Sequence, residues 1–228
     1  MKKLVVLSGA GMSAESGLRT FREMGGLWEE YDVYEVASPG GWQKDRAMVL
    51  RFYNERRKQL LATKPNEGHF GLVELEQDFE VWIVTQNVDD LHERAGSSRI
   101  LHLHGELLKS RSTVDPDLVY DIEGWELGEG DLCEKGSQLR PHVVWFGEAV
   151  PAIEEAARIV SNADIFVIIG TSMNVYPAAG LINYVPATAP IYVIDPNEIP
   201  LAGHPRIRII QKGAGDGVKT LIGELRNG

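Results

Sequence analysis

Residues 4–14 read Leu-Val-Val-Leu-Ser-Gly-Ala-Gly-Met-Ser-Ala. The apolar, partly β-branched start predicts a buried strand, and the Gly-x-Gly-x-x-Ala pattern after it is typical of a dinucleotide-binding turn. Glycines allow the tight turn and let a pyrophosphate approach backbone N–H groups at the N-terminus of a helix, where the dipole favours negative charge. An ordinary glycine-rich turn of an α/β protein is the alternative interpretation.

Short apolar runs of this kind recur along the chain, mostly separated by helix-like segments. This alternation predicts an α/β fold with a mainly parallel sheet that is covered on both faces. The predicted strands are residues 4–7, 81–84, 100–103, 143–146, 165–169, 191–194 and 207–210. The predicted helices are residues 45–61, 68–77, 89–95, 153–161, 178–184 and 216–226.

Two stretches interrupt the alternation. Residues 23–61 hold a long charged helix and no predicted strand, and residues 106–139 are rich in Gly, Asp and Glu. We expect both to leave the sheet and to pack together as a smaller module. The predicted domains are a discontinuous one of residues 1–22, 63–105 and 140–228, and an inserted module of residues 23–62 and 106–139.

The composition is that of a globular protein, with 43% of the 228 residues hydrophobic and a formal net charge of -10. This charge argues against nucleic acid as a partner, because phosphates demand a basic surface. The only cysteine, Cys133, excludes an intrachain disulfide and a cysteine-ligated zinc site, and it favours a reducing compartment, the cytoplasm. No apolar stretch approaches membrane-spanning length, so we expect a soluble protein without a membrane partner.

Polar side chains follow the predicted strand of residues 81–84, at the edge where open α/β sheets bind ligands. Gln86, Asn87 and Asp89 carry amide and carboxylate groups suited to hydrogen-bonding an amide and ribose hydroxyls. The alternative is that Asp89 or Asp90 only caps the next helix. A dehydrogenase would also need an acidic residue about 20 residues after the glycine turn to hold a ribose. Residues 19–22 read Arg-Thr-Phe-Arg instead, which argues against hydride transfer.

Two histidines, His102 and His104, belong to the next predicted strand segment, in which alternate residues point to the same face. A His-x-His metal pair would need further ligands, and the sequence shows no companion cluster. We therefore favour a role as a general base over a role as a metal ligand, because a histidine can accept a proton at neutral pH. A purely structural histidine is the alternative.

Five segments, taken in order, resemble the sirtuin family over about residues 4–215. The segments are Gly-Ala-Gly-x-Ser from residue 9, Thr-Gln-Asn-x-Asp-x-Leu-His from 85, His-Gly from 104, Arg-Pro-x-Val-Val-x-Phe-Gly-Glu from 140 and Gly-Thr-Ser-x-x-Val-x-Pro-Ala-Ala from 170. The resemblance implies a Rossmann-like domain with a small inserted module, NAD as co-substrate and acyl-lysine proteins as substrates. It also implies that the products are free lysine, nicotinamide and O-acyl-ADP-ribose.

The functional residues follow from the resemblance, motif by motif. His104 is the implied general base. Phe21 and Phe146 are implied to wall the acyl tunnel, and the Val144 backbone to accept the lysine N–H. The implied NAD-binding residues are Gly9, Ala10, Gly11, Ser13, Glu15, Thr20, Phe21, Arg22, Trp28, Gln86, Asn87, Asp89, Gly170, Thr171, Ser172, Asp195, Asn197 and Ala214.

Two other activities remain open. An NAD glycohydrolase or ADP-ribosyltransferase begins with the same cleavage of nicotinamide, and a non-catalytic NAD-binding module would have no turnover. Sirtuins usually carry two Cys-x-x-Cys zinc pairs where this chain has only Cys133, so zinc is not expected. The small module must then hold together by packing, or else lose some of its order. The apolar residues available for that packing are Leu118, Val119, Ile122, Trp125 and Leu127.

Tyr53 and Arg56 lie three residues apart on the predicted helix of residues 45–61 and therefore share a face. An arginine fork beside a hydroxyl suits a carboxylate, although a solvated helix face is the alternative. The pair resembles the Tyr-x-x-Arg of sirtuins that remove succinyl, malonyl or glutaryl groups, and Ala37 resembles the small residue that makes room there. We therefore expect acidic acyl groups to be preferred and acetyl groups to be accepted as well.

Overall fold

The computed structural model describes residues 1–18, 32–171, 173–197 and 206–227. Six of its strands form a sheet with the order β3-β2-β1-β7-β8-β9, and every neighbouring pair is parallel. Three more form an antiparallel sheet with the order β5-β4-β6. The strands are β1 (Lys3–Ser8), β2 (Glu80–Thr85), β3 (Ile100–His102), β4 (Gly105–Ser112), β5 (Val119–Asp121), β6 (Leu139–Val143), β7 (Ile165–Ile169), β8 (Ile191–Ile194) and β9 (Ile207–Ile210).

Helices cover both faces of the large sheet and build the rest of the small module. They are α1 (Gly11–Ala14), α2 (Val33–Val36), α3 (Pro39–Lys44), α4 (Arg46–Ala62), α5 (Glu67–Leu75), α6 (Leu91–Ala95), α7 (Ile153–Val160) and α8 (Ala214–Asn227), with a 3₁₀ helix over Ala178–Tyr184. None of the helices in the described part of the chain is both long and apolar enough to cross a membrane.

Strand β1 is buried on both sides, which explains its unbroken apolar sequence. Leu4 and Val6 belong to the core cluster that packs under α5 and α8. Val5 and Leu7 point the other way, into the cluster that packs under α7 and the 3₁₀ helix. The predicted α/β fold with a mainly parallel sheet is confirmed.

The chain changes direction within the large sheet between β1 and β7. Strands β2 and β3 follow β1 towards one edge, whereas β7, β8 and β9 continue from β1 towards the other. Loops that leave neighbouring strands in opposite directions open a crevice at the carboxyl ends of those strands, and open α/β sheets bind their ligands there. The topology therefore places the site above β1 and β7.

The strand predicted for residues 143–146 is wrong. The strand in this region is β6, it ends at Val143, and it pairs with β4 in the small antiparallel sheet instead of joining the large one. The apolar run continues past Val143 because Trp145 is buried in the small module and not because these residues form a strand of the large sheet. Trp145 is 2% exposed and packs into a third core cluster between α4 and the small sheet.

Helix α4 fastens the small module through two buried polar side chains. Arg57 is 0% exposed, and its guanidinium donates to the backbone oxygens of Trp125 at 2.8 Å and Leu107 at 3.2 Å and to the side-chain oxygen of Asn54. Asn54 also accepts the N–H of Leu127 at 3.0 Å and donates to its carbonyl at 3.1 Å. These hydrogen bonds tie the segment around residues 125–127 to the helix and to β4.

The prediction that the module holds by packing its own apolar residues is only partly correct. Leu127 is buried and Ile122 packs against the third core cluster, but Val119 is 38% exposed. The single cysteine, Cys133, is buried, and its Sγ lies 3.3 Å from the Ser112 hydroxyl. Over the described ranges, no group of three or more His, Cys, Asp or Glu side chains is arranged to hold a metal ion.

Candidate active site

The predicted glycine turn lies between the carboxyl ends of β1 and β7. The Gly9 N–H donates to the Ile169 carbonyl, and the Gly11 N–H donates to the Gly170 carbonyl, both at 2.9 Å. A Cβ added to Gly11 would stand 2.7 Å from the Cα of Gly170, nearer than real Cβ atoms approach. The two loops can therefore lie this close only because the residue is glycine.

Three predicted side chains are joined by hydrogen bonds beside this turn. Ser13 Oγ donates to the Asp89 carboxylate at 2.9 Å, and Asn87 Nδ2 donates to Ser13 Oγ at 3.1 Å. The other Asp89 oxygen accepts the Leu91 N–H at the start of α6, whereas Asp90, the N-cap residue of this helix, makes no capping hydrogen bond with its side chain. Burial raises the pKa of Asp89, although the hydrogen bonds from Leu91 and Ser13 oppose that rise.

The loops after β2, β7 and β8 are tied to one another. Gln86 Nε2 donates to Thr171 Oγ1 at 3.0 Å, which links the first two loops. The Gly170 N–H donates to the Ile194 carbonyl at 3.0 Å, which links the second to the third. Asp195 follows directly and accepts the backbone N–H of residue 197 at 2.9 Å.

Three further predicted residues lie around the short helix α1. Ala10 precedes this helix as its N-cap residue. Glu15 follows it, and its carboxylate accepts the N–H of Gly215 at 3.0 Å. Ala214, the first residue of α8, is buried. The glycine turn is thus braced against the start of α8.

The two histidines are not equivalent, and their surroundings decide which one can act as a base. His102 Nδ1 lies 3.0 Å from the Asn87 carbonyl and its Nε2 lies 2.7 Å from the Glu93 carboxylate. Both neighbours only accept hydrogen bonds, so both ring nitrogens must carry hydrogen and the ring is an imidazolium. His102 therefore has no lone pair with which to take a proton.

His104 has the arrangement that a base requires. Its Nδ1 lies 3.0 Å from the Gln86 carbonyl, which fixes the hydrogen on Nδ1 and leaves the lone pair on Nε2. Burial lowers the pKa of His104, although the Gln86 carbonyl opposes the shift, so the ring is neutral at pH 7. The burial of His102 likewise disfavours its charge, but the Glu93 carboxylate outweighs that effect and raises the pKa of His102.

The expectation that the two histidines alternate along one strand is wrong, because β3 ends at His102. His104 lies in the turn that leads to β4. Both rings nevertheless contact the same loop, since their Nδ1 atoms lie within hydrogen-bonding distance of the successive backbone carbonyls of Asn87 and Gln86. The loop after β2 thus orients both rings.

Three of the residues predicted for the acyl chain, Ala37, Val144 and Phe146, are connected to His104 or to one another by backbone hydrogen bonds. The Val144 N–H donates to the His104 carbonyl at 2.9 Å, and the Phe146 N–H donates to the Ala37 carbonyl at 2.9 Å. The Ala37 side chain is buried, whereas Phe146 is 42% exposed and its ring lies 5.7 Å from that of Tyr34. The backbone of residues 144–146 therefore runs from the histidine to Ala37, the small residue that follows α2.

Tyr53 and Arg56 lie one turn apart on α4, close to this backbone. Tyr53 is 4% exposed, and its hydroxyl accepts the indole N–H of Trp145 at 2.9 Å. Burial raises the pKa of Tyr53 to about 12, against the attraction of the Arg56 charge. Burial lowers the pKa of Arg56, against the attraction of Tyr53 and Asp89. The guanidinium is thus within electrostatic reach of both the phenol and the loop after β2.

A buried histidine pair beneath the site was not predicted. His69 and His92 are both 0% exposed, with ring centroids 4.9 Å apart, and His92 Nε2 lies 3.0 Å from the Ser8 hydroxyl at the end of β1. Asn66 is the N-cap residue of α5, forms a capping box with His69 and also donates to the Met12 carbonyl at 2.9 Å. The Asn-x-x-His spacing before an apolar helix is the signal in the sequence.

Five predicted residues lie outside the described ranges: Thr20, Phe21, Arg22, Trp28 and Ser172. Their roles stay predictions. Within the described ranges, the structure gathers the glycine turn, Ser13, the loop after β2 and the loop after β7 into one site.

Comparisons with known proteins agree with this site. The family model described as "Sir2 family" matches residues 9–177. An NAD-dependent protein deacylase of Bacteroides thetaiotaomicron is 58% identical over 226 residues, with 97% of each chain covered. One of Helicobacter pylori is 60% identical over 196 residues, covering 86% of this chain and 85% of that protein. A crystal structure of a Sir2 homologue in complex with NAD has a TM-score of 0.90 and 40% identity, covering 99% of this chain and 90% of that one.

The matched family segment contains the glycine turn, both histidines and the loop after β2, which are the parts that converge in the structure. The likeness to the relatives extends over nearly the whole chain. This chain belongs to the Sir2 family.

Proposed function

We propose that this chain, an NAD-dependent protein deacylase of the Sir2 family, prefers lysine acyl groups that end in a carboxylate, namely succinyl, malonyl and glutaryl groups. The observation that carries the proposal is the placement of Arg56. It stands one turn along α4 from the buried Tyr53, whose hydroxyl accepts the Trp145 indole N–H, and the attraction of Tyr53 and Asp89 opposes the lowering of the Arg56 pKa by burial. A cation and a hydroxyl one helical turn apart on the same helix suit a carboxylate at the end of an acyl chain.

The residues around the glycine turn fit NAD. Gly9 and Gly11 are packed too tightly against the loop after β7 to carry a side chain. The backbone N–H groups of this turn are therefore not covered by side chains from these two positions. Ser13, Asn87 and Asp89 supply a connected set of hydroxyl, amide and carboxylate groups beside it. NAD, when bound, supplies an electrophilic ribose carbon and receives the acyl group.

The chain's own residues then orient and move protons. His104 is assigned as the general base, because its Nε2 holds the lone pair and Gln86 fixes the ring. His102 is held as a cation by Glu93 and keeps the Asn87 carbonyl in place. The Val144 backbone is assigned to accept the N–H of the substrate lysine, and the hydrogen bond from the Val144 N–H to the His104 carbonyl supports this assignment.

Charge and composition support protein substrates and a cytoplasmic location. The formal net charge of -10 favours basic, lysine-bearing segments over acidic ones. The single cysteine suits a reducing compartment. An NAD glycohydrolase is distinguished by its products, because only a deacylase releases nicotinamide in strict dependence on an acylated peptide.

The test compares kcat/KM on one peptide carrying either acetyl- or succinyl-lysine, with mass spectrometry of O-acyl-ADP-ribose. We expect Arg56→Met to lower succinyl kcat/KM by roughly ten- to a hundredfold, since a charge-assisted hydrogen bond is lost, and to change acetyl turnover little. Arg51→Met is the matched control, because Arg51 is exposed on the same helix. Equal losses on both peptides would refute the carboxylate-reading role, and absence of O-acyl-ADP-ribose would refute deacylation.

A further inference from the structure

Trp145 contacts Tyr53, one of the two residues proposed to select the acyl group, and the proposed acyl preference does not by itself require this contact. Its indole Nε1 lies 2.9 Å from the Tyr53 hydroxyl oxygen, with the two rings 6.4 Å apart at 37°. Both side chains are nearly inaccessible to solvent, at 2% for Trp145 and 4% for Tyr53. This hydrogen bond is therefore made away from competing water.

The chemistry of the two groups fixes the direction of the bond. An indole N–H can only donate, so the phenol oxygen must be the acceptor. The phenol has one hydrogen of its own, and that hydrogen has to point away from the indole. Within the described part of the chain, no group accepts it. Among the residues that the structure describes, the Tyr53 hydroxyl is therefore a donor without an acceptor, and a carboxylate entering beside Arg56 supplies one.

Trp145 is itself held on three sides. The Glu148 carboxylate accepts its backbone N–H at 2.8 Å, and the Arg140 guanidinium lies 3.3 Å from the centroid of its ring. Arg140 and Glu148 are also paired with each other at 2.6 Å. The ring of Trp42 covers it at 5.7 Å. The indole has little freedom to turn, so the position of its N–H is set before any substrate binds.

We propose that Trp145 is a positioning residue for acyl-chain selection: its indole N–H occupies the acceptor side of the Tyr53 hydroxyl and directs the phenol hydrogen towards the carboxylate of the bound acyl group. This inference rests on the proposed preference for acidic acyl groups. It adds that Tyr53 acts as an oriented donor and that its orientation depends on a residue outside the pair. No proton is transferred and no bond to the substrate is formed by Trp145.

The test removes the indole N–H and keeps an aromatic ring. We expect Trp145→Phe to raise KM for the succinyl peptide by about three- to tenfold, the effect of one neutral hydrogen bond, with kcat unchanged. Acetyl KM should change by less than about twofold, because an acetyl group has no carboxylate. Trp42→Phe is the matched control, since Trp42 packs on the same ring and donates no hydrogen bond to Tyr53.

A double-mutant cycle separates positioning from a general structural effect. In a Tyr53→Phe background, Trp145→Phe should have no further effect on succinyl KM, because the hydroxyl that it orients is gone. Full additivity of the two changes would overturn the proposal, and so would equal losses on acetyl and succinyl peptides. If Arg56→Met is selective for succinyl but Trp145→Phe is not, the positioning role fails while the acidic preference stands. If Arg56→Met is not selective, the acidic preference itself fails.

Discussion

Replacing Arg57 by methionine tests how the small module is held to the rest of the chain. Arg57 is fully buried and donates to two backbone carbonyls and to Asn54. Methionine fills much of the same volume but donates nothing. The carbonyls of Trp125 and Leu107 would then lose these donors, and Asn54 would lose a charged partner.

The cost can be worked from these contacts. A buried polar group that loses its partner costs about 1–3 kcal/mol. Removing a buried charge offsets part of this, because burial already opposes the charge and lowers the pKa of Arg57 to about 10. We expect a net loss of about 3 kcal/mol in the free energy of unfolding, equivalent to a fall in Tm of about 6–12 °C for a chain of this size.

The assay is thermal and urea unfolding followed by circular dichroism and tryptophan fluorescence, with Trp125 as a nearby reporter. Arg51→Met makes the same chemical change on the exposed side of α4 and should alter stability by less than about 0.5 kcal/mol. If the two variants unfold alike, the buried hydrogen bonds of Arg57 do not hold the module.

Three further predictions concern the site. Burial lowers the pKa of His69 to about 4 from 6.5 and also lowers the pKa of His92, so the stability that these two neutral rings contribute is full above pH 6.5 and is lost as the pH falls from 6.5 towards 4. His69 alone should account for about 3 kcal/mol of that loss, measured by urea unfolding at successive pH values. His104→Asn should lower kcat for deacylation by at least about a hundredfold, while calorimetry still detects NAD binding. Gly11→Ala should destabilise the fold by about 1–3 kcal/mol and raise KM for NAD, because its Cβ would stand 2.7 Å from the Gly170 Cα.

Each of these has a result that would contradict it. A His69→Gln variant that loses stability in acid as steeply as the wild type would exclude this histidine as the titrating group. Deacylation by His104→Asn at more than a tenth of the wild-type rate would remove the assigned base. Gly223→Ala is the control for the glycine, because nothing lies within 4 Å of its added Cβ. Should Gly11→Ala be as stable as this control, the close approach of the two loops would not depend on glycine.

The large sheet could be predicted because strands buried on both faces need continuous apolar runs, as in β1 and β7. Residues 143–146 have the same composition for a different reason. A large apolar residue occurs at position 145 because its side chain packs against Trp42 and Tyr53 in the small module. An apolar run indicates that a segment is buried, but it does not indicate which element the segment packs against. The packing partner of residues 143–146 could therefore not be predicted.

The attachment of the small module could not be predicted from the sequence either. Arg57 stands among Arg51, Arg56 and Lys58, and such a charge-rich helix is usually a solvated face. Only the folded chain brings the Trp125 carbonyl to within 2.8 Å of its guanidinium. The domain boundaries, the residues assigned to NAD and the acyl preference stay predictions.

Helix α4 carries both the pair of residues that anchors the small module and the pair that we propose to select the acyl group, and this determines which substitutions can change substrate preference. Asn54 and Arg57 anchor the module, whereas Tyr53 and Arg56 are the pair that we propose to select the acyl group. Substitutions at the second pair can retune substrate choice while the anchor stays intact. Substitutions at the first pair would shift the helix and with it the selecting side chains. Variants with new acyl preferences should therefore be sought at 53 and 56, with 54 and 57 kept fixed.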